Sequence, residues 1–219
     1  MHSALRRLHA GQRPSGTTID RFRLNEILSQ IAFGGRRNSV YQRIVSLAGV
    51  RPGLSVLDVG CGSGYLARKL AAAAGPSGHI TGVDPSQAAV AYAQQHARTD
   101  VTFTVGVAQD LGLPDASFDI VTCTLTMHHV PARKRLAALR EMYRVTKPGG
   151  RLLVADFDPT RQPFPLHPGG RRMRHAAATV GSLEELAAEA GYQTESSGKL
   201  PLLRYVTAVR SEHRVTATA

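Results

Sequence analysis

A glycine-rich turn with an acid on either side has the clearest chemical meaning in this sequence. The turn, Gly60-Cys-Gly-Ser-Gly64, follows a short apolar run that contains Asp58, and Asp84 lies 24 positions after Gly60. Many nucleotide-binding folds place such a turn directly after a strand. An acid at the end of the next strand can accept hydrogen bonds from both hydroxyls of a ribose. These residues therefore predict a site for a ligand that contains a nucleoside.

Two common phosphate-binding motifs are excluded by the spacing around the turn. A P-loop requires Gly-Lys followed by Ser or Thr, whereas Gly64 is followed by Tyr65. The dinucleotide fingerprint G-x-G-x-x-G also fails, because the glycine after Gly62 is Gly64, one position too early. The turn is therefore expected to hold a nucleoside without the phosphate chemistry of those two motifs.

A pair of histidines supplies the best candidates for a general base. His128 and His129 end the segment Thr124-Leu-Thr-Met-His-His129, which follows a predicted strand. Imidazole titrates near neutral pH, so either ring could take a proton from an acceptor that must lose one. The alternative, that one histidine only fixes the loop by hydrogen bonds, remains open. Asp156 and Asp158 could face the acceptor or a metal ion, but two carboxylates without a third ligand more often cap a loop, so no metal site is predicted.

These residues must be positioned by alternating strands and helices. The predicted strands are Ser55–Val59, Ile80–Val83, Val101–Val105, Phe118–Thr124 and Arg151–Phe157. The predicted helices are Tyr65–Ala74, one capped by Ser86 that runs to about Ala97, and one that turns Leu136, Leu139, Met142 and Tyr143 inward. Lys147-Pro-Gly-Gly150 predicts a turn before the fifth strand. The alternation is typical of a parallel-sheet α/β fold.

Flanking segments complete the predicted organisation. Apolar spacing predicts one helix with Leu24, Ile27, Leu28 and Ile31, and another with Val40, Tyr41, Ile44, Val45 and Ala48. A Pro- and Arg-rich loop over 159–180 precedes a helix with a capping box of Ser182 and Glu185, and two closing strands follow between Tyr192 and Arg210. We expect a flexible N-terminus over 1–19, a helical lid over 20–50, a ligand-binding core over 51–158, and an acceptor-covering loop, helix and closing strands of the same domain over 159–219.

Five ordered motifs together resemble a known enzyme family. They are Val56-Leu-Asp-Val-Gly-Cys-Gly-Ser-Gly64, Gly82-Val-Asp-Pro85, Leu113-Pro-Asp-Ala-Ser-Phe-Asp119, His128-His-Val130 and Glu141-Met-Tyr-Arg-Val-Thr-Lys-Pro-Gly-Gly150. The sequence closely resembles the class I S-adenosylmethionine-dependent methyltransferases, in the quinone-biosynthesis-like branch also called methyltransferase type 11. The resemblance implies a Rossmann-like, doubly wound, mostly parallel seven-stranded sheet with helices on both faces and an antiparallel final hairpin.

The same resemblance implies S-adenosyl-L-methionine as the cofactor. The residues it assigns to cofactor binding are Tyr41, Asp58, Gly60, Cys61, Gly62, Gly64, Asp84, Pro85, Ala108, Gln109 and Thr124. The glycines would admit the ligand where a Cβ would collide with it, and Asp58 would orient its ammonium group. One position departs from the family pattern, because Val107 stands where relatives have an acid that contacts adenine. Adenine would then be read by the Ala108 backbone and by Gln109 or Asp110.

Three function classes follow from these observations. The leading hypothesis is methyl transfer to a small-molecule acceptor of anionic or aromatic character, by O- or C-methylation of a phenolic, quinone-like or natural-product scaffold. A nucleic-acid methyltransferase is the second, although the Asn/Asp-Pro-Pro-aromatic motif of base-amine methylation and the Pro-Cys pair of cytosine C5 methylation are missing. A non-methylating member of the fold that binds the cofactor is the third. Whether the protein is a monomer or a homodimer stays open.

The formal net charge of +11 over 219 residues needs its own explanation. The net charge is +6 over residues 1–50, +2 over 51–158 and +3 over 159–219, so the excess lies in the flanks. It indicates either an anionic or polyphenolic acceptor drawn to a basic lid, or an arginine-rich composition without ligand meaning. Nucleic acid, which composition alone suggests, is disfavoured by the missing motifs.

Composition also suggests a compartment. No apolar run reaches the roughly 20 residues that span a bilayer, and the N-terminal segment lacks the apolar stretch of a secretory signal. Two cysteines in a chain of this length do not make a disulfide framework. Cys61 and Cys123 follow strands that should be neighbours, so a disulfide is one hypothesis, but two buried thiols are favoured. We expect a soluble, cytoplasmic protein.

Overall fold

Seven strands form a single sheet in the computed structural model, which describes residue 33 and residues 35–97, 101–158 and 183–212. In chain order the strands are β1 (Ser55–Val59), β2 (His79–Asp84), β3 (Val101–Val105), β4 (Phe118–Thr124), β5 (Thr146–Phe157), β6 (Tyr192–Leu200) and β7 (Leu203–Arg210). Their order across the sheet is β3-β2-β1-β4-β5-β7-β6. Strands β1 to β5 pair in parallel, and β7 lies antiparallel to β5 and β6. The predicted Rossmann-like sheet with its antiparallel hairpin is confirmed.

The order of the strands reverses at β1, which has β2 on one side and β4 on the other. Val59 is in register with Val83 of β2 and with Cys123 of β4, so the three strands end side by side. The apolar runs of β1 and β4 are buried on both faces, as expected for central parallel strands. Ligands of open α/β sheets bind in the crevice outside the carboxyl ends of strands at such a reversal.

Helices cover both faces of the sheet. The α-helices in the described residues are α1 (Arg37–Ala48), α2 (Tyr65–Ala74), α3 (Gln87–Gln95), α4 (Arg135–Val145) and α5 (Leu183–Glu189). Two 3-10 turns, Met127–His129 and Ala132–Lys134, lie between β4 and α4. Helices α1 to α3 contribute to one apolar core, and α4 and α5 to a second core on the other face. None of the helices in the described ranges has the length and apolar character that crossing a bilayer requires.

Local sequence signals explain where α3 begins and ends. The Ser86 hydroxyl accepts a hydrogen bond from the Ala89 N–H at 3.2 Å, which confirms the predicted cap. The helix ends at Gln95, two residues before the expected end near Ala97. The His96 ring, stacked on Tyr92, places Nδ1 2.8 Å from the Tyr92 carbonyl oxygen and so terminates the last turn.

The segment Lys147-Pro-Gly-Gly150 is the clearest difference from the predicted elements. It was expected as a turn before β5, but β5 already begins at Thr146. The register between β4 and β5 passes from Phe118 opposite Thr146 to Ile120 opposite Arg151. The four residues therefore bulge out of the pairing within the strand, because β5 advances further than β4 between those two pairs.

Several expectations fall on parts of the chain outside the described residues. These are the flexible N-terminus over 1–19, the helix containing Leu24 to Ile31, the loop over 159–180, and Ser182 of the capping box. Much of the basic character of the flanks lies there too. The domain boundaries accordingly stay predictions.

Charged residues near the amino ends of β4 and β5 form what we call the amino-end network, consisting of Asp115, Asp119, Glu141, Arg144 and Lys147. Arg144 donates two hydrogen bonds to Glu141, at 2.7 and 2.8 Å, and one to Asp115 at 2.6 Å. Lys147 donates to Asp119 at 2.7 Å, and Asp119 also accepts the Ser55 N–H at 2.9 Å. The network joins α4 to the amino ends of β4 and β5. Two of the five family motifs, Leu113–Asp119 and Glu141–Gly150, therefore contribute to the fold at the amino ends of the strands, away from their carboxyl ends.

Candidate functional site

A cavity of about 430 Å³ opens at the carboxyl ends of β1, β2 and β4, and its volume is typical of a small-molecule site. Eight of the residues predicted to bind the cofactor line it: Tyr41, Asp58, Gly60, Cys61, Gly62, Asp84, Pro85 and Thr124. Of the predicted base candidates, His129 also lines it. The sequence prediction therefore identifies residues that the fold brings together from four separate elements.

The glycine-rich turn forms one wall of the cavity through backbone conformations that favour glycine. Gly60, Gly62 and Gly64 have φ values of 74°, 52° and 75°. A Cβ at Gly60 would overlap the side chain of Thr126, and one at Gly64 would lie 2.8 Å from the Phe103 ring. At Gly62 nothing lies within 4 Å of the Cβ position. Two of the glycines are thus required by neighbouring side chains of the protein, and only Gly62 keeps space open for a ligand.

Asp84 ties the end of β2 to the glycine-rich turn. One carboxylate oxygen accepts the Gly62 N–H and the other accepts the Ser86 N–H, each at 2.9 Å. A carboxylate offers about four lone-pair positions, so both oxygens can accept further hydrogen bonds from a diol. Asp84 therefore combines the turn-capping role and a ligand-facing position in one residue.

Asp58 is a buried carboxyl with one oxygen left for a ligand. The side chain is 2% exposed, and Oδ1 accepts a hydrogen bond from the Thr122 hydroxyl at 3.0 Å. Its Oδ2 has no hydrogen-bond partner among the described residues. Burial, and to a lesser extent the negative charge of Asp84, raises the pKa of Asp58 to about 7. A cationic group of a ligand would supply both the missing partner and the missing charge.

Helix α1 closes the cavity with an arginine packed among aromatic rings. The guanidinium of Arg37 lies 3.8 Å from the ring centroid of Tyr65, and Arg37 is 7% exposed. Tyr41, from the next turn of α1, meets the same Tyr65 ring edge to face at 5.0 Å. Burial raises the pKa of Tyr41, and the charge of Arg37 acts in the opposite direction. Arg37 is not among the residues predicted from the sequence, where it counts only toward the net charge.

The end of β4 carries two cavity residues that the motifs do not single out, Leu125 and Thr126. Leu125 has a φ of 55°, a left-handed conformation that is strained for a branched side chain. The turn is held by the Leu125 N–H, which donates to the Ala155 carbonyl, and by the Thr126 hydroxyl, which donates to the Thr124 carbonyl. Thr124 itself is buried, and its hydroxyl has no partner among the described residues.

The two histidines differ in their surroundings. His129 is exposed and lines the cavity, and partial loss of water together with the neighbouring His128 lowers its pKa. His128 is buried, with Nδ1 2.7 Å from Oδ1 of Asp156 and its backbone N–H donating to Oδ2 of the same carboxylate at 3.0 Å. The ring centroids of the two histidines are 3.9 Å apart. We call His128 and Asp156 the His–Asp pair.

A carboxylate can only accept a hydrogen bond, so an ionised Asp156 takes the Nδ1–H of a neutral His128 ring, whose lone pair then lies on Nε2. That nitrogen is buried and has no hydrogen-bond partner among the described residues. The arrangement holds this nitrogen in place next to His129, which lines the cavity, whereas His128 itself does not line it. The sequence offers Asp156 as a residue that caps a loop or faces the acceptor or a metal ion, and nothing in the spacing of 28 residues indicates its pairing with His128.

Three predicted cofactor residues, Gly64, Ala108 and Gln109, do not line the cavity. Ala108 is buried, and the segment turns back on itself through a bridge between Val107 and Asp110. The Val107 side chain, which replaces the expected acid, is 37% exposed. How these residues would contact adenine stays a prediction.

The two cysteines are free thiols, and the acidic side chains of the described residues form no candidate metal site. Cys61 and Cys123 are free, buried thiols in different apolar cores, and burial raises the pKa of both. The described ranges contain no group of three His, Cys, Asp or Glu side chains that could hold a metal ion. The interpretation of the cysteines as two buried thiols is confirmed.

Comparison with known proteins identifies a domain around this cavity. Residues 56–150 match a family model described as a methyltransferase domain. The chain is 34% identical over 144 residues to the ubiquinone/menaquinone biosynthesis C-methyltransferase UbiE of Ectopseudomonas mendocina, with 64% of this chain and 56% of the relative covered. It is 35% identical over 166 residues to the 27-O-demethylrifamycin SV methyltransferase of Amycolatopsis mediterranei, with 71% and 60% covered. The chain thus spans less than two thirds of the length of these relatives.

Among solved structures, a SAM dependent methyltransferase from Aquifex aeolicus superimposes with a TM-score of 0.67 at 22% identity, over 78% of this chain and 89% of that one. At this identity the similarity shows the fold, which agrees with the strand order described above.

Proposed function

Because the chain belongs to the class I S-adenosylmethionine-dependent methyltransferases and resembles their quinone-biosynthesis branch, we propose that it transfers a methyl group from S-adenosyl-L-methionine to a hydroxyl of a small aromatic acceptor. The observation that carries this proposal is the His–Asp pair, which lies against His129 in the wall of a cavity that suits a nucleoside. The names of the two relatives also describe small-molecule acceptors. Neither a nucleic-acid methyltransferase nor a non-methylating member gains a specific observation from the described residues.

The cavity fits the cofactor by the chemistry of its donors and acceptors. Asp84, at the end of β2, has the lone pairs to accept from both ribose hydroxyls. Oδ2 of Asp58 needs a partner, which an ammonium group supplies. Gly62 leaves open space above the turn. When bound, S-adenosylmethionine supplies an electrophilic methyl group on a sulfonium centre.

The His–Asp pair would remove the proton that a hydroxyl acceptor must lose. Nε2 of His128 would accept the proton of the acceptor hydroxyl when its oxygen takes the methyl group that the cofactor supplies, and S-adenosylhomocysteine would be the second product. Asp156 is a positioning residue, because it holds the imidazole in the correct tautomer and stabilises its positive charge. After turnover the proton on His128 is released to solvent. Such a base typically contributes 10²–10⁴-fold to a rate.

The test measures formation of S-adenosylhomocysteine with menadiol, catechol and quercetin as acceptors. We expect His128→Ala and Asp156→Asn to lower kcat by about 100-fold or more with the best acceptor, while the Kd for S-adenosylhomocysteine changes less than threefold. Asp156→Glu should recover part of the activity, because it retains a carboxylate, and Asp156→Asn should also shift the pH profile of kcat.

His129→Ala is the matched control, since it removes the neighbouring imidazole that no carboxylate holds. If His129→Ala loses the activity and His128→Ala keeps it, the base is His129 and the role given to the His–Asp pair is wrong. If the protein binds S-adenosylhomocysteine but methylates none of the hydroxyl acceptors while it methylates an amine or thiol, the acceptor class is wrong.

A further inference from the structure

We propose that Arg135 is a positioning residue for the His–Asp pair, because its side chain fixes the turn that carries both histidines. The inference rests on the proposed function, since it concerns the base assigned there. Arg135 is the first residue of α4, and none of the five family motifs contains it. It links the start of this helix to the place where the acceptor would lose its proton.

The first observation is that Arg135 holds two backbone carbonyls at once. Its Nε–H donates to the carbonyl oxygen of Met127 at 3.1 Å and to that of Val130 at 3.0 Å. These two residues flank His128 and His129, and the Val130 N–H also donates to the Met127 carbonyl at 3.1 Å. We call Met127–Val130 the histidine turn. One side chain thus closes the histidine turn at both of its ends, so the backbone that carries the two rings has a fixed place.

The second observation is that this contact is shielded from water. Arg135 is 4% exposed, whereas Arg133 and Lys134, which directly precede it, are exposed. A hydrogen bond from a charged donor is stronger than one from a neutral donor, and burial removes the water that would compete for the carbonyls. Lysine would keep the charge, but its ammonium ends a flexible stem and does not reproduce the place of Nε between two acceptors.

The third observation is that Arg135 and Asp156 hold the histidine turn from two different elements. Asp156, on β5, accepts hydrogen bonds from the backbone N–H and from the ring of His128. Burial lowers the pKa of Arg135, and the negative charge of Asp156 acts in the opposite direction, so the two charges interact. A misplacement of about 1 Å at a reacting group can cost about 100-fold in rate. Loosening the histidine turn would therefore misplace the His128 ring without removing it.

The first measurement is turnover with the best hydroxyl acceptor. Arg135→Met keeps the aliphatic part of the side chain and donates no hydrogen bond. We expect it to lower kcat by about 10- to 30-fold and to leave the acceptor KM and the Kd for S-adenosylhomocysteine within about threefold. Arg135→Lys should recover part of kcat, because an ammonium can still donate to one of the two carbonyls.

Arg144→Met is the matched control. It removes another arginine of α4 that donates to a backbone carbonyl, that of Leu113, at the end of the helix away from the histidines. It should lower stability and leave kcat within about twofold. If Arg135→Met no longer binds S-adenosylhomocysteine, Arg135→Lys decides, with an expected loss of kcat of about three- to tenfold.

The second measurement does not depend on turnover. In protein labelled with ¹⁵N-histidine, the Nδ1–H of His128 is identified by NMR from its absence in His128→Gln. We expect this proton to exchange with solvent at least about tenfold faster in Arg135→Met than in the wild type, and at an unchanged rate in Arg144→Met.

The outcomes separate this inference from the proposed function. Unchanged kcat and unchanged Nδ1–H exchange in Arg135→Met, or equal losses in Arg144→Met, would overturn the positioning role. If His128→Ala keeps its activity, the base assignment in the proposed function is wrong, and the exchange rate still decides whether Arg135 holds the His–Asp pair in place.

Discussion

Polar groups at the two ends of the parallel strands differ in whether they have hydrogen-bond partners. At the amino ends, every charged side chain of the amino-end network has a hydrogen-bonded partner of opposite charge, such as Arg144 with Glu141 and Lys147 with Asp119. At the carboxyl ends, Oδ2 of Asp58, the hydroxyl of Thr124 and Nε2 of His128 are buried without a hydrogen-bond partner in the described part of the chain.

The difference indicates that the polar groups at the amino ends stabilise the fold, whereas those at the carboxyl ends need a ligand to complete their hydrogen bonds. A buried polar atom without a partner costs about 1–3 kcal/mol, so three of them at one edge are a substantial loss of stability. Such atoms are rare in native structures unless something supplies the missing bond. A bound ligand that offers an ammonium and hydroxyl groups would supply it. Substitutions at the amino ends should therefore act on stability, and substitutions at the carboxyl ends on binding and turnover.

The largest expected effect is the loss of ligand binding when Asp84 is replaced. Asp84→Ala removes the acceptor proposed for the ribose diol and also frees the Gly62 and Ser86 N–H groups that shape the turn. We expect the Kd for S-adenosylhomocysteine to rise at least 100-fold in calorimetry, equivalent to about 2.7 kcal/mol. The Kd for 5′-methylthioadenosine, which lacks the amino-acid part, should rise equally, because both ligands carry the ribose.

Asp119→Ala is the matched control for Asp84→Ala at the other end of the sheet. Asp119 also accepts a backbone N–H, from Ser55, but lies at the amino end of β4. It should lower the thermal midpoint and leave the Kd for S-adenosylhomocysteine within twofold. Unchanged binding in Asp84→Ala would contradict both the site and the comparison of the two ends.

The next largest effect is a gain of stability at the cost of binding when Asp58 loses its charge. The pKa of Asp58 is raised to about 7 in the folded protein, above the ordinary value of 3.8. Between these two values the folded protein holds a proton that the unfolded chain releases, so the free energy of unfolding decreases as the pH rises through this window. Asp58→Asn has no such dependence. Relative to the wild type, it should gain about 4 kcal/mol of stability between pH 4 and pH 8.

Chemical denaturation across this pH range measures the free energy of unfolding, and calorimetry measures the affinity for the ligand. At pH 8, Asp58→Asn should be the more stable protein and yet bind S-adenosylhomocysteine about tenfold more weakly, because the amide provides no charge for the ammonium. Binding of 5′-methylthioadenosine should stay within twofold. A variant whose stability parallels the wild type from pH 4 to pH 8 would show that Asp58 is not titrating in this window.

Most of the core elements could be predicted from the sequence because local signals decide them. The bounds of β1 and α2 follow directly from the apolar run Ser55–Val59 and from the glycines that enclose Tyr65–Ala74. The cap at Ser86 is equally local. The bulge over Lys147–Gly150 could not be foreseen, since it depends on the register that β5 takes against β4.

The residues of the site likewise divide into those that the local sequence predicts and those that depend on the folded structure. Asp58, Gly62 and Asp84 lie next to strand ends, so their meeting follows from the order of elements along the chain. Arg37 and the pairing of His128 with Asp156 depend instead on how a helix packs on a tyrosine and how two distant strand ends adjoin. Such contacts have no signature in spacing, and only the folded arrangement reveals them.

The smallest expected effect tests the amino-end network alone. Arg144 donates to Glu141, to Asp115 and to the Leu113 carbonyl, but about a third of its side chain is exposed, so solvent weakens the ion pairs. Arg144→Met should lower the free energy of unfolding by about 1 kcal/mol at pH 7 and leave the Kd for S-adenosylhomocysteine within twofold.

Hydrogen bonds from Arg144 lower the pKa of Glu141, so the stabilisation is lost as the pH falls below the ordinary glutamate value of 4.5. The difference between the wild type and the variant in denaturation curves should therefore become smaller as the pH is lowered from 7 toward 3. A change in ligand affinity without a change in stability would contradict the separation of the two ends.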